Sequence, residues 1–267
     1  MCSNMAEEVA AIMREAATMA ILPRFQKLAA NEVEEKTPGE VVTAADRDAE
    51  QLINPRLAKL LAGSRAVGEE AAAANPALMD RLDEGRVWLV DPLDGTSNFV
   101  AGLPTFSVMV ALLENGQTLA SWLLEPVSGR LCIAVRGEGA FIDGVRTWAP
   151  TMSLSAPDCR GSVLTRFLPD DLKQQVAARS HMVAEVRPGA KCAGVDYPSI
   201  IEGTQDFLMF WRLLPWDHAA GALLVREAGG HVAHLDASEY KPSDRRPGLL
   251  VGSNRDVWEN VKAALSP

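Results

Sequence analysis

The sequence predicts an α+β protein in two lobes, built from layers of helix and sheet. Three patterns indicate this fold class. Residues 5–61 contain two segments with apolar side chains at helical spacing, residues 106–142 contain short apolar segments separated by turns, and helix-like and strand-like segments alternate after Pro150. The change of pattern at this point predicts an N-terminal α+β lobe, residues 1–150, and a C-terminal α/β lobe, residues 151–267.

Two amphipathic helices are predicted near the start of the chain, at residues 5–30 and 46–61. In each segment the apolar side chains recur every three or four residues and therefore share one helix face: Val9, Ile12, Met13, Ala16, Leu52, Ile53, Leu57 and Leu60. Pro23 is expected to bend the first helix. Residues 37–39 predict a turn, and residues 71–76 predict a loop that leads into a helix.

Short apolar segments predict the strands of the N-terminal lobe. Residues 87–90 are typical of a buried strand, because all four side chains are apolar. Four later segments, separated by turn sequences such as Asn115-Gly116, predict an antiparallel meander: residues 106–114, 119–125, 130–135 and 139–142.

Helices and strands are predicted to alternate in the C-terminal lobe. The predicted strands are residues 162–166, 182–186, 207–210, 232–235 and 248–251. The predicted helices are residues 170–179, 199–202, 217–228 and 256–265. Gly229-Gly230 follows the third of these helices and is a typical signal for a helix end.

The composition is typical of a globular protein, with 48% hydrophobic and 23% charged residues. The 26 basic and 35 acidic residues give a net charge of −9, which argues against direct nucleic-acid binding because no excess of Lys and Arg exists to neutralise phosphates. Four cysteines without a CxxC pair are expected to be reduced thiols. Residues 1–9 contain no basic residue and no apolar run approaches about 20 residues, which predicts a cytoplasmic protein that does not enter the membrane.

Residues 88–98 carry the most informative pattern. An apolar strand runs directly into Asp91 and Asp94, and Pro92 restricts the backbone between them. Two carboxylates at a rigid strand end suit a hard divalent cation, which prefers oxygen ligands. Residues 95–97 (Gly-Thr-Ser) follow and offer successive backbone N–H groups, which is typical of a phosphate site. The alternative is an ordinary turn closed by an Asp side chain.

Two further acidic segments strengthen this interpretation. Glu69 and Glu70 follow Gly68 in an apolar neighbourhood, although adjacent acids usually belong to a solvated surface. Asp217 follows Trp216 at the start of a predicted helix, where the commoner role of an aspartate is to cap the helix.

Together the three segments resemble the inositol monophosphatase family of metal-dependent phosphomonoesterases. The matching stretches are GEE at 68–70, DPLDGTSNF at 91–99 and WDHAAGALLVREAGG at 216–230, in the order and spacing of the family. The resemblance implies a layered α/β/α/β/α sandwich like those of sugar phosphatases. It also implies Mg²⁺-dependent hydrolysis of a small phosphomonoester by a metal-activated water, with the metal and phosphate motifs in the first lobe and the WDHAAG motif in the second.

The resemblance also implies roles for individual residues. Two to three Mg²⁺ ions are expected to be held by Glu69, Asp91, the Leu93 carbonyl, Asp94 and Asp217. Thr96, held by Asp46, would work with Glu69 on the attacking water, and Lys36 lies near the active-site lysine of the family. The substrate is expected to contact Leu93, Gly95, Thr96, Ser97, Cys192, Ala193, Phe210 and Asp217. Two Mg²⁺ ions would neutralise the four carboxylates.

The substrate and the biological role stay open at this point. Inositol-selective relatives carry an acidic residue six positions before the tryptophan of the WD motif, where this chain has Phe210, with Arg212 close by. We therefore expect that inositol 1-phosphate is not the preferred substrate, and histidinol phosphate or a sugar phosphate is the alternative. A hypothesis from a different functional class is that the chain is a regulatory protein, which binds transcription or RNA-processing machinery. Relatives are commonly homodimers, so a homodimer is expected.

Overall fold

The computed structural model describes residues 3–37 and 39–265. The α-helices in these residues are α1 (Ser3–Ala16), α2 (Ala44–Leu60), α3 (Glu69–Ala74), α4 (Thr96–Val100), α5 (Asp170–Arg179), α6 (Ala193–Ile201), α7 (Pro215–Glu227) and α8 (Arg255–Leu265). The strands are β1 (Val33–Thr37), β2 (Glu40–Thr43), β3 (Ser64–Gly68), β4 (Arg86–Asp94), β5 (Ser107–Glu114), β6 (Gln117–Leu124), β7 (Leu131–Val135), β8 (Gly139–Ile142), β9 (Val145–Thr147), β10 (Arg160–Val163), β11 (Glu185–Arg187), β12 (Phe207–Phe210), β13 (His231–His234) and β14 (Leu249–Gly252). No helix in the described ranges combines the length and apolar character needed to cross a membrane.

The larger sheet has seven strands in the order β3-β4-β5-β6-β7-β8-β9. Strands β3 and β4 are parallel, and every later pair is antiparallel. The predicted antiparallel meander is thereby confirmed, and its strand ends differ from the predicted ones by at most two residues. The edge strands β3 and β9 were not predicted, because both are short and each contains two polar residues.

Strand β4 shows how this sheet gains two apolar faces. Its side chains alternate between the faces, so Trp88 and Val90 pack with α1 and α2, whereas Val87 and Leu89 belong to the core formed with α6 and α7. All four side chains are buried. A strand covered on both faces requires apolar residues at successive positions, which explains the continuous apolar run that predicted this strand.

The smaller sheet has five strands in the order β11-β10-β12-β14-β13. Leu208 and Phe210 of β12 face the core that contains α6 and α7, while Phe207 and Met209 face the core that contains α5 and α8. Helices α6 and α7 therefore lie between the two sheets. The layer order is α1 and α2, the larger sheet, α6 and α7, the smaller sheet, then α5 and α8. This confirms the predicted α/β/α/β/α sandwich.

The larger sheet ends at Thr147, and the smaller one begins at Arg160. The middle layer connects them, because helix α7 contacts strands of both sheets. The assignment of two lobes that meet at residue 150 stays a prediction.

The first predicted helix, residues 5–30, is shorter than expected. Helix α1 continues into a π-helical turn at Ala17–Ile21 and a 3₁₀ turn at Leu22–Arg24. Pro23 has no N–H to continue the helix, and the Arg24 guanidinium donates instead to the Ala20 carbonyl at 2.9 Å. Gln26 then has a left-handed backbone conformation, with φ +59°, which changes the direction of the chain after these turns.

Two predictions around the first acidic segments need correction or completion. Residues 71–74, predicted as a loop, belong to helix α3. The carboxylate of Glu50, on helix α2, accepts the N–H groups of Glu70 and Ala71 at 2.8 and 2.9 Å. These two hydrogen bonds cap the start of α3. The predicted turn at residues 37–39 joins β1 and β2, a hairpin that was not predicted. Pro38 of this turn lies outside the described residues.

In the C-terminal lobe, the strand at residues 207–210 and the helix at residues 170–179 have the predicted bounds, and the other elements are displaced along the chain. The predicted strand at residues 182–186 begins only at Glu185, after a 3₁₀ turn. The predicted helix at residues 199–202 is the last part of α6, which begins at Ala193 and contains Pro198. The proline made this helix hard to recognise in the sequence.

The three cysteines in the described residues are free and buried, as predicted for reduced thiols. Burial raises the pKa of Cys132 to about 12 and that of Cys159 to about 11. Both thiols are therefore protonated at neutral pH and weakly reactive. Cys2 lies outside the described residues.

Gly221 of α7 is required for the packing of the middle layer. A Cβ atom at this position would lie 2.1 Å from Cδ2 of Tyr197 on α6. We expect Gly221→Ala to lower the free energy of unfolding by about 1–3 kcal/mol, because neither helix can move without disturbing a sheet. Urea denaturation measures this change. Tyr197→Leu should reduce the cost of Gly221→Ala in the double variant, and a single variant as stable as wild type would contradict the packing argument.

Candidate active site

The acidic segment at the end of β4 is held in an irregular part of the sheet. Asp91 pairs with Met109 of β5 and Asp94 pairs with Ser107, so the regular register is lost between them. Asp91 is 2% exposed, and its Oδ1 accepts the Leu93 N–H at 3.0 Å. The bulge therefore brings two carboxylates and the Leu93 backbone to one end of the larger sheet.

Gly95 joins this strand end to helix α4. Its φ of +85° is a left-handed conformation, which favours glycine. A Cβ atom would also lie 3.0 Å from the Thr105 carbonyl oxygen and 3.1 Å from Cβ of Cys192. The backbone at Gly95 is thus closely surrounded. The first N–H groups of α4, at Thr96 and Ser97, have no acceptor within their own helix, as at any helix start.

The partly buried Thr96 lies against the buried carboxylate of Asp46. The Thr96 hydroxyl lies 3.0 Å from Oδ1 of Asp46 and 2.9 Å from the Leu93 carbonyl oxygen, and its single hydrogen is donated to one of them. Oδ2 of Asp46 accepts from the backbone N–H and the hydroxyl of Thr43, at 2.8 and 2.6 Å. Burial raises the pKa of Asp46 to about 7, against the hydrogen bonds from Thr43. The predicted contact between Thr96 and Asp46 is present.

Asp94 is positioned by residues from two other elements. Its Oδ2 accepts the Gly194 N–H of α6 at 2.7 Å, the Cys192 thiol at 3.1 Å and the Ser107 hydroxyl at 3.3 Å. Burial raises the pKa of Asp94 to about 6, although the hydrogen bonds from Gly194, Cys192 and Ser107 favour the carboxylate. Cys192, predicted to contact substrate, is 1% exposed and faces this carboxylate.

Lys36 of the β1–β2 hairpin reaches the acidic start of α3. Its Nζ donates to Oε1 of Glu69 at 3.0 Å and to Oε1 of Glu70 at 2.5 Å. Burial alone would lower the pKa of Lys36, but the two carboxylates raise it, so the ammonium stays charged. The structure therefore brings Lys36 to Glu69 and adds Glu70 to the site.

Asp217 completes the acidic cluster from the first turn of α7. The pKa values of both Asp91 and Asp217 are raised well above the usual value. Burial is the largest cause, and the negative charges of Glu69 and Asp94 are the next largest. The negative charges of Glu69 and Asp94 therefore act on both Asp91 and Asp217.

Divalent cations would relieve this repulsion, and the donor set of carboxylates and a backbone carbonyl fits Mg²⁺. Within residues 3–37 and 39–265, no three His, Cys, Asp or Glu side chains converge closely enough to enclose an ion by themselves.

The predicted substrate side contains an apolar cluster and a cationic neighbour. Phe210 is 3% exposed, and its ring stacks on Tyr197 at 5.2 Å between centroids and meets the edge of His218 at 4.8 Å. Burial lowers the pKa of His218 to about 4, so the imidazole is neutral. Ala193 is also buried, whereas Ser97 is exposed. The side chain of Arg212 is 37% exposed and forms an ion pair with Glu40.

Sequence reasoning missed several residues that hold the site together. Glu50 caps α3 and so positions Glu69, and a Cβ on Gly68 would lie 2.2 Å from its carboxylate. The available signal was its spacing four residues after Asp46, which places both acids on one face of α2. Ser107 and Gly194 support Asp94, and no local pattern distinguishes them in the sequence.

Five alternating layers with an acidic cluster at the end of the larger sheet define the sandwich architecture of sugar phosphatases. The chain belongs to the inositol monophosphatase family, whose model matches residues 3–265.

Individual relatives agree with this assignment. The fructose-1,6-bisphosphatase/inositol-1-monophosphatase of Thermotoga maritima is 32% identical over 209 residues, which cover 78% of this chain and 77% of that protein. Nus factor SuhB of Escherichia coli is 32% identical over 254 residues, which cover 92% of this chain and 89% of that protein. The solved structure of the extragenic suppressor protein suhB from Bartonella henselae is 27% identical, has a TM-score of 0.84 and covers 99% of both chains.

Proposed function

We propose that this protein is a Mg²⁺-dependent phosphatase that hydrolyses a small phosphomonoester. The observation that carries the proposal is the cluster of Glu69, Asp91, Asp94 and Asp217 beside Thr96, whose hydroxyl lies 3.0 Å from the buried carboxylate of Asp46. A cluster of unneutralised carboxylates costs stability unless cations bind there. A solvated acidic surface would not need such burial or such a set of supporting hydrogen bonds.

The metal ions would be held by the four carboxylates and the Leu93 carbonyl, two to three ions in all. When bound, Mg²⁺ would stabilise negative charge on the phosphate and on the leaving oxygen, and would lower the pKa of a water. A phosphomonoester brings about two negative charges at neutral pH, so the ions also make its binding possible.

The side chains and backbone would divide the remaining tasks. Thr96, held by Asp46, would orient the attacking water, and Glu69 would accept its proton. The N–H groups of Gly95 and Thr96 would hold phosphate oxygens. Lys36 carries positive charge to the same place through its contacts with Glu69 and Glu70.

Release of inorganic phosphate from a panel of phosphomonoesters tests this proposal. The panel contains inositol 1-phosphate, histidinol phosphate, fructose 1,6-bisphosphate and glycerol 2-phosphate, each with Mg²⁺ and with EDTA. We expect hydrolysis of at least one compound with Mg²⁺ and its loss with EDTA. No release from any compound, or equal release with EDTA, would contradict the proposal.

Inositol 1-phosphate is expected not to be the best of these substrates. Phe210 occupies the position where inositol-selective relatives have an acidic acceptor, and its buried ring offers no hydrogen bond to a substrate hydroxyl. Loss of one charged acceptor should cost about 1.5–3 kcal/mol of recognition, or roughly tenfold to a hundredfold in kcat/KM. The comparison of kcat/KM across the panel measures this. A tenfold or larger lead for inositol 1-phosphate would refute the argument.

A regulatory role in transcription is a second candidate, because a relative that matches 92% of this chain is called Nus factor SuhB. The net charge of −9 favours a protein partner over direct contact with RNA. A pull-down from lysate with and without Mg²⁺, followed by identification of bound proteins, tests this role. Specific capture of transcription proteins by a chain that releases no phosphate would favour it over catalysis.

A further inference from the structure

Two arginines share one aromatic ring beside the acidic cluster. Cζ of Arg212 lies 3.8 Å from the centroid of Phe167, and Cζ of Arg166 lies 4.7 Å from the same centroid. Arg166 is on the 3₁₀ turn Thr165–Phe167, and Arg212 follows strand β12. We call Arg166, Phe167 and Arg212 the arginine cluster.

The two arginines of the arginine cluster carry more positive charge than the neighbouring carboxylate of Glu40 neutralises. Arg212 forms an ion pair with Glu40, while Arg166 donates to the Gly39 carbonyl at 2.7 Å and has no carboxylate partner in the described part of the chain. Arg166 thus contacts the residue directly before Glu40, and Arg212 contacts Glu40 itself. Two cations share one anion, which leaves an unpaired positive charge.

The arginine cluster also lies next to the proposed catalytic carboxylates. The carbonyl oxygen of Arg212 lies 3.1 Å from Nε2 of His218, the residue that directly follows Asp217. Phosphate is expected near Gly95 and Thr96. Arg212 is two residues after Phe210, on the side where the leaving alcohol of the substrate would lie.

The stacking geometry suits recognition of a planar or tetrahedral anion. A guanidinium that stacks on a ring keeps its N–H groups at the edge, where two of them can bind one carboxylate or phosphate. Glu40 contacts Nη1 of Arg212, and the remaining donors of that side chain form no other hydrogen bond within the described ranges. The position that lacks an acidic acceptor thus has an anion-binding group nearby instead.

We infer that Arg212, supported by Arg166, determines specificity and selects phosphomonoesters whose leaving alcohol carries its own anionic group, a carboxylate or a second phosphate. This inference rests on the proposed phosphatase function. It explains why an apolar wall at Phe210 is combined with an excess of positive charge in the neighbouring arginine cluster. A neutral polyol would gain nothing from this charge, whereas an anionic leaving group would form charge-assisted hydrogen bonds.

Matched substrates test the inference. Glycerol 3-phosphate and 3-phosphoglycerate differ in a hydroxymethyl group against a carboxylate, and fructose 6-phosphate and fructose 1,6-bisphosphate differ in a second phosphate. We expect the wild type to favour the anionic member of at least one pair by tenfold or more in kcat/KM, mainly through KM. The pair that shows the preference identifies the anionic group.

Variants separate recognition from a structural role. Arg212→Met should reduce that preference by about tenfold to a hundredfold, and Arg212→Lys should restore part of it. Arg255→Gln, in an exposed ion pair on α8, is the matched control and should keep the wild-type preference. If Arg212 only held the β1–β2 hairpin in place through Glu40, Glu40→Gln would lower the preference for the anionic substrate as Arg212→Met does. If Arg212 recognises the substrate, Glu40→Gln should keep or increase that preference.

Three outcomes would overturn the inference. These are a wild-type ratio near one in both pairs, an unchanged ratio in Arg212→Met, or the same loss of preference in Glu40→Gln. In each of these cases the enzyme still releases phosphate, so the proposed phosphatase function is not contradicted. If neither pair releases phosphate with Mg²⁺ and the wider panel also fails, both the inference and the proposed function are refuted.

Discussion

Asp94→Asn is expected to lower phosphate release by more than about a hundredfold at limiting Mg²⁺, because even residues that only support a metal ligand contribute ten- to a hundredfold. The substitution preserves the shape of the side chain but removes one negative charge and one strong ligand. It also weakens the acceptor for the Gly194 N–H, which donates to Oδ2 at 2.7 Å. The half-saturating Mg²⁺ concentration should rise in parallel, and a Mg²⁺ titration of the initial rate measures both changes.

The matched control is Asp256→Asn, which removes the same charge from an exposed position on α8. Its Mg²⁺ dependence should equal that of the wild type. Because loss of one of four repelling carboxylates relieves repulsion, Asp94→Asn is expected to be at least as stable as the wild type without Mg²⁺. Near wild-type turnover of Asp94→Asn at limiting Mg²⁺ would contradict the assignment of Asp94 as a metal ligand.

The fold was predictable where the side-chain pattern is local. The meander of the larger sheet is marked by apolar segments and tight turns, and Gly229-Gly230 marks the end of α7. The layer order came from the family resemblance, because periodicity does not specify which face of a helix meets which sheet. Elements stabilised from elsewhere in the fold were missed or misjudged. Helix α3 forms at residues 71–74 because the distant Glu50 caps it.

The candidate site also has one part that the sequence predicts and another part that it does not. Asp91, Asp94 and Thr96 occur within six residues of sequence, so their proximity follows from one strand end and one turn. The supporting contacts to Asp94 come from residues 13 and 100 positions away, Ser107 and Gly194. No sequence pattern specifies such contacts. The ion pair of Arg212 with Glu40 spans 172 positions, and the sequence indicated only that Arg212 stood near the substrate side.

Thr96→Ala is expected to reduce kcat by about a hundredfold or more while KM changes little. The Thr96 hydroxyl lies 3.0 Å from Oδ1 of Asp46, which is itself held by two hydrogen bonds from Thr43, so the hydroxyl direction is defined by buried neighbours. A group that orients the attacking water acts mainly in the transition state, and positioned proton acceptors and donors contribute about 10²–10⁴-fold to rates. Steady-state kinetics at saturating Mg²⁺ separates kcat from KM.

Thr96→Ser and Asp46→Asn distinguish the hydroxyl from the methyl group that Thr96→Ala also removes. Thr96→Ser keeps the hydroxyl and should retain most of the wild-type kcat. Asp46→Asn keeps a carbonyl oxygen as an acceptor but loses the charge, so its kcat should fall less than that of Thr96→Ala. The double variant should be no slower than Thr96→Ala alone, because Asp46 acts through the Thr96 hydroxyl. If only KM changed in Thr96→Ala, Thr96 would bind substrate and Asp46 would have no part in directing the water.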